Sequence, residues 1–311
     1  MSIVYDVIII GTGVAGLTAG LYTCRARLST LLLEDKTIGG ELMNRDLVEN
    51  YPGFPKGIVG PNLSSLILNQ LLTYEPDIEQ IEAKRIRLEG DQKIVVTDEG
   101  EYSGKALIIA GGASHKKLGI PGENEFLKKG VFYCATCEGP AYADKIVAVA
   151  GGGDSGVTEG LFLTQHASKV TIIEVMPQLN ATKILQERIF SNPKIDAKCE
   201  TKIKRITGDT KVRKIDLFDV KTKRESSMDV DGVLIRVGLD PNTEYLKNIV
   251  TLDSKKQILV NDQMETEVPG IFAAGDIRHN SPMQFATAVG DGATAAISAQ
   301  KYLQTHHFSA R

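Results

Sequence analysis

The stretch Val7-Ile8-Ile9-Ile10-Gly11-Thr12-Gly13-Val14-Ala15-Gly16 decides the fold of this chain. Its first four residues are apolar without alternation, which predicts a strand covered on both faces of a sheet. The three glycines follow that strand and open a helix-like stretch that runs to about Arg27. A second apolar strand, Thr30–Leu33, ends in Glu34. This order matches the dinucleotide-binding fingerprint, in which the glycines bring a pyrophosphate to a helix N-terminus and the acid accepts hydrogen bonds from a ribose.

The same pattern occurs again in the middle of the chain. The apolar run Ile146–Ala150 leads into Gly151-Gly152-Gly153-Asp154-Ser155-Gly156, and the later strand Lys169–Ile173 ends in Glu174. The first glycine and the acid are 23 residues apart in both copies. Two βαβ units with matching internal spacing predict two nucleotide-binding domains.

The order of the remaining segments predicts how these domains are arranged along the chain. We expect an α/β fold with two Rossmann-like, three-layer ββα nucleotide-binding domains, the second inserted in the first. Turns over Gly119–Gly122 and Gly238–Asn242 are the candidate linkers. The predicted boundaries give a discontinuous domain of residues 1–118 plus 244–311 and a central domain of residues 119–243. A helix from about Val289 to Leu303 is expected near the C-terminus.

Composition excludes several other classes of protein. The 311 residues carry 36 Lys and Arg against 39 Asp and Glu, a net charge of −3. Without a basic stripe to neutralise phosphates, we expect no nucleic-acid partner. No apolar run approaches the roughly 18 residues of a membrane span, so no membrane association is expected. The N-terminus shows no basic region of a signal peptide, which predicts a cytoplasmic protein.

Four cysteines are present, at positions 24, 134, 137 and 199. A disulfide framework is not expected in a cytosolic chain of this size. The close pair in Cys134-Ala135-Thr136-Cys137 therefore points to redox or metal chemistry rather than to a structural link.

Over nearly its whole length the chain resembles the low-molecular-weight thioredoxin reductases, a family of two-domain flavoproteins. The resemblance implies an FAD-dependent disulfide oxidoreductase that reduces thioredoxin or a similar protein disulfide, and a homodimer. The order and spacing of the following motifs carry it: Gly11–Gly16, Gly39–Leu42, Val48–Gly53, Ala110–Gly112, Gly119–Gly122, Cys134–Gly139, Gly151–Gly156, Asp240–Thr243 and Ala273–Asp276.

The resemblance implies that the first, discontinuous domain binds FAD. The first glycine motif would hold the pyrophosphate, Glu34 the adenosine ribose and Asp276 the ribityl chain, while the backbone around Gln284 would reach the isoalloxazine. The residues expected to bind FAD are Gly11, Thr12, Gly13, Ala15, Gly16, Glu34, Gly39, Gly40, Glu41, Leu42, Asn50, Gly111, Gly275, Asp276, Gln284 and Phe285.

The resemblance also implies roles in catalysis for the cysteine pair. Cys137 would face the flavin, Cys134 would attack the partner disulfide, and Glu138 would protonate a leaving thiolate. The family usually has Asp where this chain has Glu138. A zinc site would require two further ligands at suitable spacing, which Cys24 and Cys199 do not supply, so we predict no metal site and two inert cysteines.

The second glycine motif departs from the family at the position that selects the nucleotide. Members that use NADPH carry a His-Arg-Arg triplet whose arginines bind the adenosine 2′-phosphate, and this chain has Glu174-Val175-Met176 there, with Asn180 in place of a further arginine. Charge-assisted bonds from arginine to phosphate contribute about 1.5–3 kcal/mol each, so NADPH is predicted to be a poor donor. Near the flavin, the family's Arg-Gln pair is Met283-Gln284.

Several alternatives stay open at this point. The donor could be NADH, with Glu174 binding the ribose 2′-hydroxyl, or a protein such as reduced ferredoxin, with the central domain retained as a scaffold. The chain could also be a dithiol oxidase that uses oxygen, or a non-enzymatic flavin redox sensor or electron-transfer module. In the tail, a ring from His306, His307 or Phe308 could cover the flavin face that nicotinamide would otherwise use, and the alternative is a frayed terminus.

Overall fold

The computed structural model describes residues 3–246 and 248–306 of the chain. They form two compact units, the first from the segments 1–114 and 240–311 and the second from residues 115–239. No helix in the described ranges is long and apolar enough to cross a membrane.

The described residues contain seventeen strands and six α-helices. The strands are β1 (Val4–Ile10), β2 (Thr30–Leu33), β3 (Asp77–Glu79), β4 (Arg85–Glu89), β5 (Gln92–Val96), β6 (Glu101–Ile109), β7 (Ala113–His115), β8 (Val131–Phe132), β9 (Ile146–Ala150), β10 (Lys169–Ile173), β11 (Ile195–Lys198), β12 (Thr201–Gly208), β13 (Val212–Asp219), β14 (Glu225–Asp229), β15 (Gly232–Ile235), β16 (Leu239–Pro241) and β17 (Ile271–Ala273). The helices are α1 (Val14–Arg25), α2 (Gly60–Leu72), α3 (Ala135–Glu138), α4 (Asp154–Leu163), α5 (Lys183–Phe190) and α6 (Phe285–Thr305).

The first unit is built on a seven-stranded sheet in which β3, β2, β1 and β6 follow one another in parallel. Beyond β6, the antiparallel β5 pairs with its first half and the parallel β17 with its second half. The register pairs Ile10 with Leu33, so that β1 and β2 end level with each other. This alignment places Gly11 beside Glu34 at the carboxyl edge of the sheet, where ligands of open α/β sheets bind.

Both faces of this sheet are covered, which explains why β1 reads as an unbroken apolar run. Val7 and Ile9 belong to a core cluster shared with α1, α2 and α6. Ile8 and Ile10 belong to a second cluster on the opposite side. The helix α6 approaches α1 so closely that a Cβ on Gly292 would overlap the carbonyl oxygen of Ala15.

The second unit repeats this plan on a smaller scale. A five-stranded parallel sheet has the order β11-β10-β9-β15-β8, and β12, β13 and β14 form a separate antiparallel sheet. The register pairs Ala150 with Ile173, which brings Gly151 beside Glu174. The parallel sheets and the helices that cover them confirm the predicted α/β fold with two Rossmann-like units.

Replacing two glycines of α6 by alanine should have opposite effects on stability, because only one of them contacts α1. Changing Gly292 to Ala should lower the stability by about 1–3 kcal/mol, because the added methyl group has no space. The matched control is Gly290→Ala in the same helix, where a Cβ meets no atom within 4 Å. Alanine favours the helix there by up to about 1 kcal/mol, so this variant should be slightly more stable than the parent. The midpoint of thermal unfolding measures both effects, and equal midpoints for the two variants would contradict the predicted packing.

Candidate functional site

The glycine turn after β1 has the geometry that a bound pyrophosphate requires. Gly11 has a φ of 98°, in the left-handed region that favours glycine. A Cβ on Gly11 would overlap the Ala110 carbonyl oxygen, and one on Gly16 would overlap the Gly11 carbonyl oxygen. Gly13, at the N-cap of α1, instead faces open space within 4 Å. The turn therefore leaves the N-terminus of α1 accessible to an anion, as P-loop and Rossmann turns do. We call residues 11–16 together with Glu34 the first cradle.

The carboxylate of Glu34 is held in place by hydrogen bonds from Thr12 and Lys36. Its Oε2 accepts hydrogen bonds from the Thr12 N–H at 2.8 Å and the Thr12 hydroxyl at 2.6 Å, and its Oε1 accepts from the Lys36 N–H at 3.0 Å. Glu34 is only 8% exposed. A carboxylate oxygen can accept more than one hydrogen bond, so the clamped group keeps acceptor capacity for a ribose hydroxyl.

The second unit contains a cradle of the same construction, formed by residues 151–156 together with Glu174. Gly151 has a φ of 115°, a Cβ on Gly156 would overlap the Gly151 carbonyl oxygen, and Gly153 faces open space. Oε2 of Glu174 accepts from the Gly152 N–H at 2.6 Å and Oε1 accepts from the Met176 N–H at 2.9 Å. Relative to the first glycine and the acid, these donors occupy the same positions as Thr12 and Lys36 in the first cradle. We call this the second cradle.

The segment that follows Glu174 carries no positive charge. Val175 and Met176 are about half exposed, at 51% and 50%. Asn180 is exposed, and its N–H donates to the Gly152 carbonyl at 2.9 Å. The sequence has no Lys or Arg from residue 174 to residue 182. The segment that follows the clamped acid is therefore uncharged from residue 175 to residue 182.

Several other residues predicted to bind FAD are brought to the first cradle. The N–H of Gly39 donates to the Thr12 carbonyl at 2.9 Å, and a Cβ on Gly40 would lie 3.0 Å from Cα of Gly13. Leu42 is fully buried, so its side chain belongs to the core. The remaining predicted residues lie in the same unit: Ala15 is buried in α1, Glu41 pairs with Arg45 at 2.8 Å, Asn50 Nδ2 donates to Gln284 Oε1 at 2.9 Å, and Phe285 begins α6.

A turn after β17 holds Asp276 in a partly buried position. The N–H of Gly275 donates to Asp291 Oδ2 at 3.1 Å, and Arg278 pairs with that same carboxylate at 2.8 Å. Burial raises the pKa of the Asp276 carboxyl, and the nearby Glu41 and Asp291 charges add to this effect. The Ser281 hydroxyl donates to Asp276 at 3.3 Å. A carboxylate partly removed from water gains from further donors, such as the hydroxyl groups of a ribityl chain.

Sequence reasoning missed Tyr245, whose hydroxyl has no hydrogen-bond partner among the described residues although it is shielded from solvent. Its oxygen lies 3.1 Å from the position of a Cβ on Gly111, and Asn242 Nδ2 donates to the Gly111 carbonyl at 2.8 Å. Burial raises the pKa of the Tyr245 hydroxyl, and the Asp35 charge raises it further. A buried hydroxyl without a partner is uncommon in proteins, and a polar ligand atom would satisfy it. Together with the open space at Gly13, this observation shows that the residues present fit a dinucleotide such as FAD.

The cysteine pair lies at the start of α3 in the second unit. Cys134 and Cys137 form a disulfide with a Cα–Cα distance of 5.3 Å. Cys137 is exposed, whereas Cys134 is partly buried and its Sγ accepts the Cys137 N–H at 3.1 Å. Burial raises the pKa of the adjacent Glu138 carboxyl, and Lys128 partly opposes this. Burial also raises the pKa values of the two free thiols, at positions 24 and 199, which disfavours their reactive thiolate forms.

An aromatic ring over the flavin was predicted from one of three C-terminal residues, and the structure describes one of the three. His306 is exposed and its ring lies over the Tyr302 ring, with centroids 4.0 Å apart. The other two candidates, His307 and Phe308, lie outside the described residues. Within the described part of the chain, no group of three His, Cys, Asp or Glu side chains could hold a metal ion.

Comparison with known proteins identifies the family of this chain. The pyridine nucleotide-disulphide oxidoreductase family matches residues 5–292. The thioredoxin reductase of Bacillus subtilis is 44% identical over 97% of this chain and 95% of its own length. The crystal structure of Lactococcus lactis thioredoxin reductase in its FR conformation matches with a TM-score of 0.95 and 40% identity, over 96% of this chain and 99% of that one. A ferredoxin-flavin thioredoxin reductase from Clostridium acetobutylicum matches with a TM-score of 0.54 and 29% identity, over 97% of this chain and 99% of that one. The chain belongs to the low-molecular-weight thioredoxin reductases, a family of flavoprotein disulfide reductases.

Proposed function

We propose that this protein is an FAD-dependent thioredoxin reductase whose electron donor is NADH. The observation that carries the choice of donor is the second cradle. Its Glu174 carboxylate is clamped by the Gly152 and Met176 N–H groups, as Glu34 is clamped in the first cradle. A carboxylate in this position accepts hydrogen bonds from the 2′-hydroxyl of NADH and repels the 2′-phosphate of NADPH.

The two cradles divide the cofactors between the units in this proposal. FAD lies in the first cradle, held by the glycine turn, Glu34 and Asp276, in the discontinuous domain predicted as residues 1–118 plus 244–311. The nicotinamide nucleotide lies in the second cradle, in the central domain of residues 119–243. Bound FAD supplies the two-electron exchange between the donor and the cysteine pair. We retain the predicted cytoplasmic homodimer as part of the proposal.

The chemistry of the chain itself is thiol–disulfide exchange. In the reduced protein, one thiolate of the pair attacks the thioredoxin disulfide and forms a mixed disulfide, releasing one thioredoxin thiolate. The second cysteine then displaces the other thioredoxin sulfur, and the Cys134–Cys137 disulfide forms again. Two electrons and two protons leave with thioredoxin. Glu138 suits proton transfer to a leaving thiolate, because burial raises the pKa of its carboxyl.

The order of attack by the two sulfurs stays a prediction from the family resemblance. Cys134 is expected to attack, yet Cys137 is the more exposed residue of the pair. A second candidate donor is reduced ferredoxin, favoured by the similarity to the Clostridium acetobutylicum enzyme. The oxidase and sensor alternatives differ from the proposal in their electron acceptor. A dithiol oxidase would pass its electrons to oxygen, and a redox sensor would have no substrate as acceptor.

Replacing either sulfur of the pair should abolish thioredoxin reduction. We expect Cys134→Ser and Cys137→Ser each to lower the turnover rate by at least about a thousandfold, because the exchange requires both sulfurs. The matched control is Cys199→Ser, a free cysteine of the same unit, which should keep the parent rate. Turnover is followed as thioredoxin thiols formed under anaerobic conditions. Thioredoxin reduction at the parent rate by either single variant would exclude the exchange mechanism.

Removing the charge of Asp276 should raise the stability of the flavin-free protein and weaken the binding of FAD. The pKa of the Asp276 carboxyl is higher in the folded chain than in the unfolded chain. Its contribution to the free energy of unfolding is therefore complete below the pKa of the unfolded chain and is lost as the pH rises through the pKa of the folded chain. In flavin-free protein, Asp276→Asn should therefore raise the unfolding midpoint at pH 7, with little effect near about pH 4. The same variant should weaken FAD binding by about 1.5–3 kcal/mol, because a charged acceptor is lost. Asp262→Asn, at an exposed carboxyl of the same unit, serves as the control. Unchanged FAD affinity in Asp276→Asn would contradict its assigned role.

Adding positive charge beside Glu174 should restore the use of NADPH. The double variant Val175→Arg/Met176→Arg supplies two cations where the family has its arginines. We expect the ratio of kcat/KM for NADPH over NADH to rise by about tenfold to a hundredfold for each arginine that reaches the 2′-phosphate. Val175→Gln/Met176→Gln provides side chains of similar length without charge and should leave the ratio near that of the parent. An equal rise in the arginine and glutamine variants would show that charge does not select the nucleotide.

A further inference from the structure

A buried ion pair lies between the second cradle and the cysteine pair. Arg236 Nε donates to Glu159 Oε1 at 2.6 Å, and Arg236 Nη2 donates to Glu159 Oε2 at 2.7 Å. The two side chains are 2% and 4% exposed. This bidentate geometry is the strong form of an arginine–carboxylate contact. Neither residue has a role in the exchange chemistry proposed above.

The same carboxylate also contacts the backbone of the redox helix. The N–H of Ala135 donates to Glu159 Oε2 at 3.2 Å. Ala135 is fully buried, is the first residue of α3 and directly follows Cys134. One carboxylate oxygen thus connects the Arg236 guanidinium to the peptide group next to a redox sulfur.

The position of Arg236 is fixed by the sheet of the second unit. Its N–H donates to the Ala150 carbonyl at 2.7 Å, and its own carbonyl lies so close to Gly151 that a Cβ there would overlap it. Glu159 lies in α4, the helix that begins at the second cradle. The ion pair is therefore anchored to the strand end and the helix that build the cradle, while a further hydrogen bond joins Glu159 to the Ala135 N–H, next to Cys134.

Stability alone gives a weak reason for a buried ion pair. Replacing such a pair with apolar residues is often neutral or stabilising, because two charges must be removed from water. Reduction of the Cys134–Cys137 disulfide, however, creates thiolate charge close to the pair. A lone carboxylate at this place would oppose that charge, and a lone guanidinium would favour it.

We propose that Glu159 and Arg236 are positioning residues of the redox pair. Glu159 fixes the first turn of α3, on which Cys134 and Cys137 are carried, and Arg236 neutralises Glu159 so that the carboxylate does not disfavour reduction of the disulfide. The inference deepens the proposed function, since it assumes that this disulfide cycles between oxidised and reduced forms.

The proposal predicts shifts of opposite sign from the two halves of the pair. In Glu159→Gln the amide oxygen can still accept the Ala135 N–H, but Arg236 is left uncompensated. The thiolate is then favoured, so the thiol pKa falls and the disulfide becomes more easily reduced. In Arg236→Met the carboxylate loses its guanidinium partner, so the thiol pKa rises and the disulfide becomes harder to reduce. We expect a change of about tenfold in the dithiol–disulfide equilibrium constant in each direction, which corresponds to about 30 mV for a two-electron couple.

The experiment measures this equilibrium in the FAD-containing protein. The wild type and both variants are equilibrated in dithiothreitol redox buffers, and the fraction of oxidised Cys134–Cys137 peptide is determined by alkylation and mass spectrometry. The rate of alkylation of the reduced proteins against pH gives the thiol pKa. Glu138, the neighbouring carboxyl, is unchanged in every variant. Opposite shifts in the two variants support the proposal, and shifts of the same sign or no shift in either would overturn it.

Two further variants keep the test decisive if a single variant folds poorly. Arg236→Lys keeps the positive charge and should stay within about threefold of the wild-type equilibrium constant. The double variant Glu159→Gln/Arg236→Met has no net charge at this place and should also return toward the wild-type value, whereas a purely structural role predicts a larger disturbance than in either single variant. Neither NADH nor thioredoxin takes part in this measurement. Its failure is therefore distinguishable from failure of the proposed function, which the turnover of the cysteine variants tests.

Discussion

A carboxylate held by backbone N–H groups, one of them from a glycine turn, is the interaction on which both proposed nucleotide sites depend. In each unit, two parallel strands end level with each other, so the first glycine after one strand lies beside the acid after the next. The N–H that follows this glycine then donates to the acid, at 2.8 Å for Thr12 with Glu34 and at 2.6 Å for Gly152 with Glu174. The clamp fixes the acid before any ligand arrives. Because a fixed group loses little entropy on binding, the clamp would favour the proposed contact between the acid and a ribose.

The two clamps have different surroundings, and this difference fits the different roles proposed for the two units. The first cradle is completed by the Gly39 turn, by Asp276 and by the unpartnered Tyr245 hydroxyl, all of them polar groups that suit a dinucleotide held throughout the cycle. The second cradle is flanked by the exposed Val175 and Met176. In the proposed function it binds a nicotinamide nucleotide, which must leave after each turnover. The absence of cations from residues 174–182 is the sequence feature that supports the proposed preference for NADH.

Much of this arrangement could be predicted from the sequence, because steric requirements and spacing determine it. Gly11 and Gly16 cannot carry a Cβ, and the distance of 23 residues from the first glycine to the acid is set by one helix and the strand that follows it. The start of α6 was predicted near Val289, whereas the helix begins at Phe285. Its first turn has no capping side chain at Gln284, so the usual signal of a helix N-terminus is missing.

Contacts between residues distant in the sequence could not be predicted in this way. Tyr245 reaches Gly111, and Arg236 reaches Glu159 of α4, only because the fold brings together segments that are far apart in the sequence. An isolated Tyr or Arg in a sequence carries no signal for such a partner. The same limit applies to the relative exposure of Cys134 and Cys137, which depends on how the short helix α3 packs rather than on the spacing of the pair.

In the proposed function, a clamped acid followed by a segment without cations selects NADH as the donor. The most direct measurement is the anaerobic bleaching of the flavin in the wild-type protein with NADH, NADPH and reduced ferredoxin, each compared at equal concentration. The account predicts that NADH reduces the flavin at least about tenfold faster than NADPH at micromolar concentrations, as the loss of even one arginine–phosphate contact requires. Faster reduction by NADPH than by NADH, or reduction by ferredoxin alone, would contradict it.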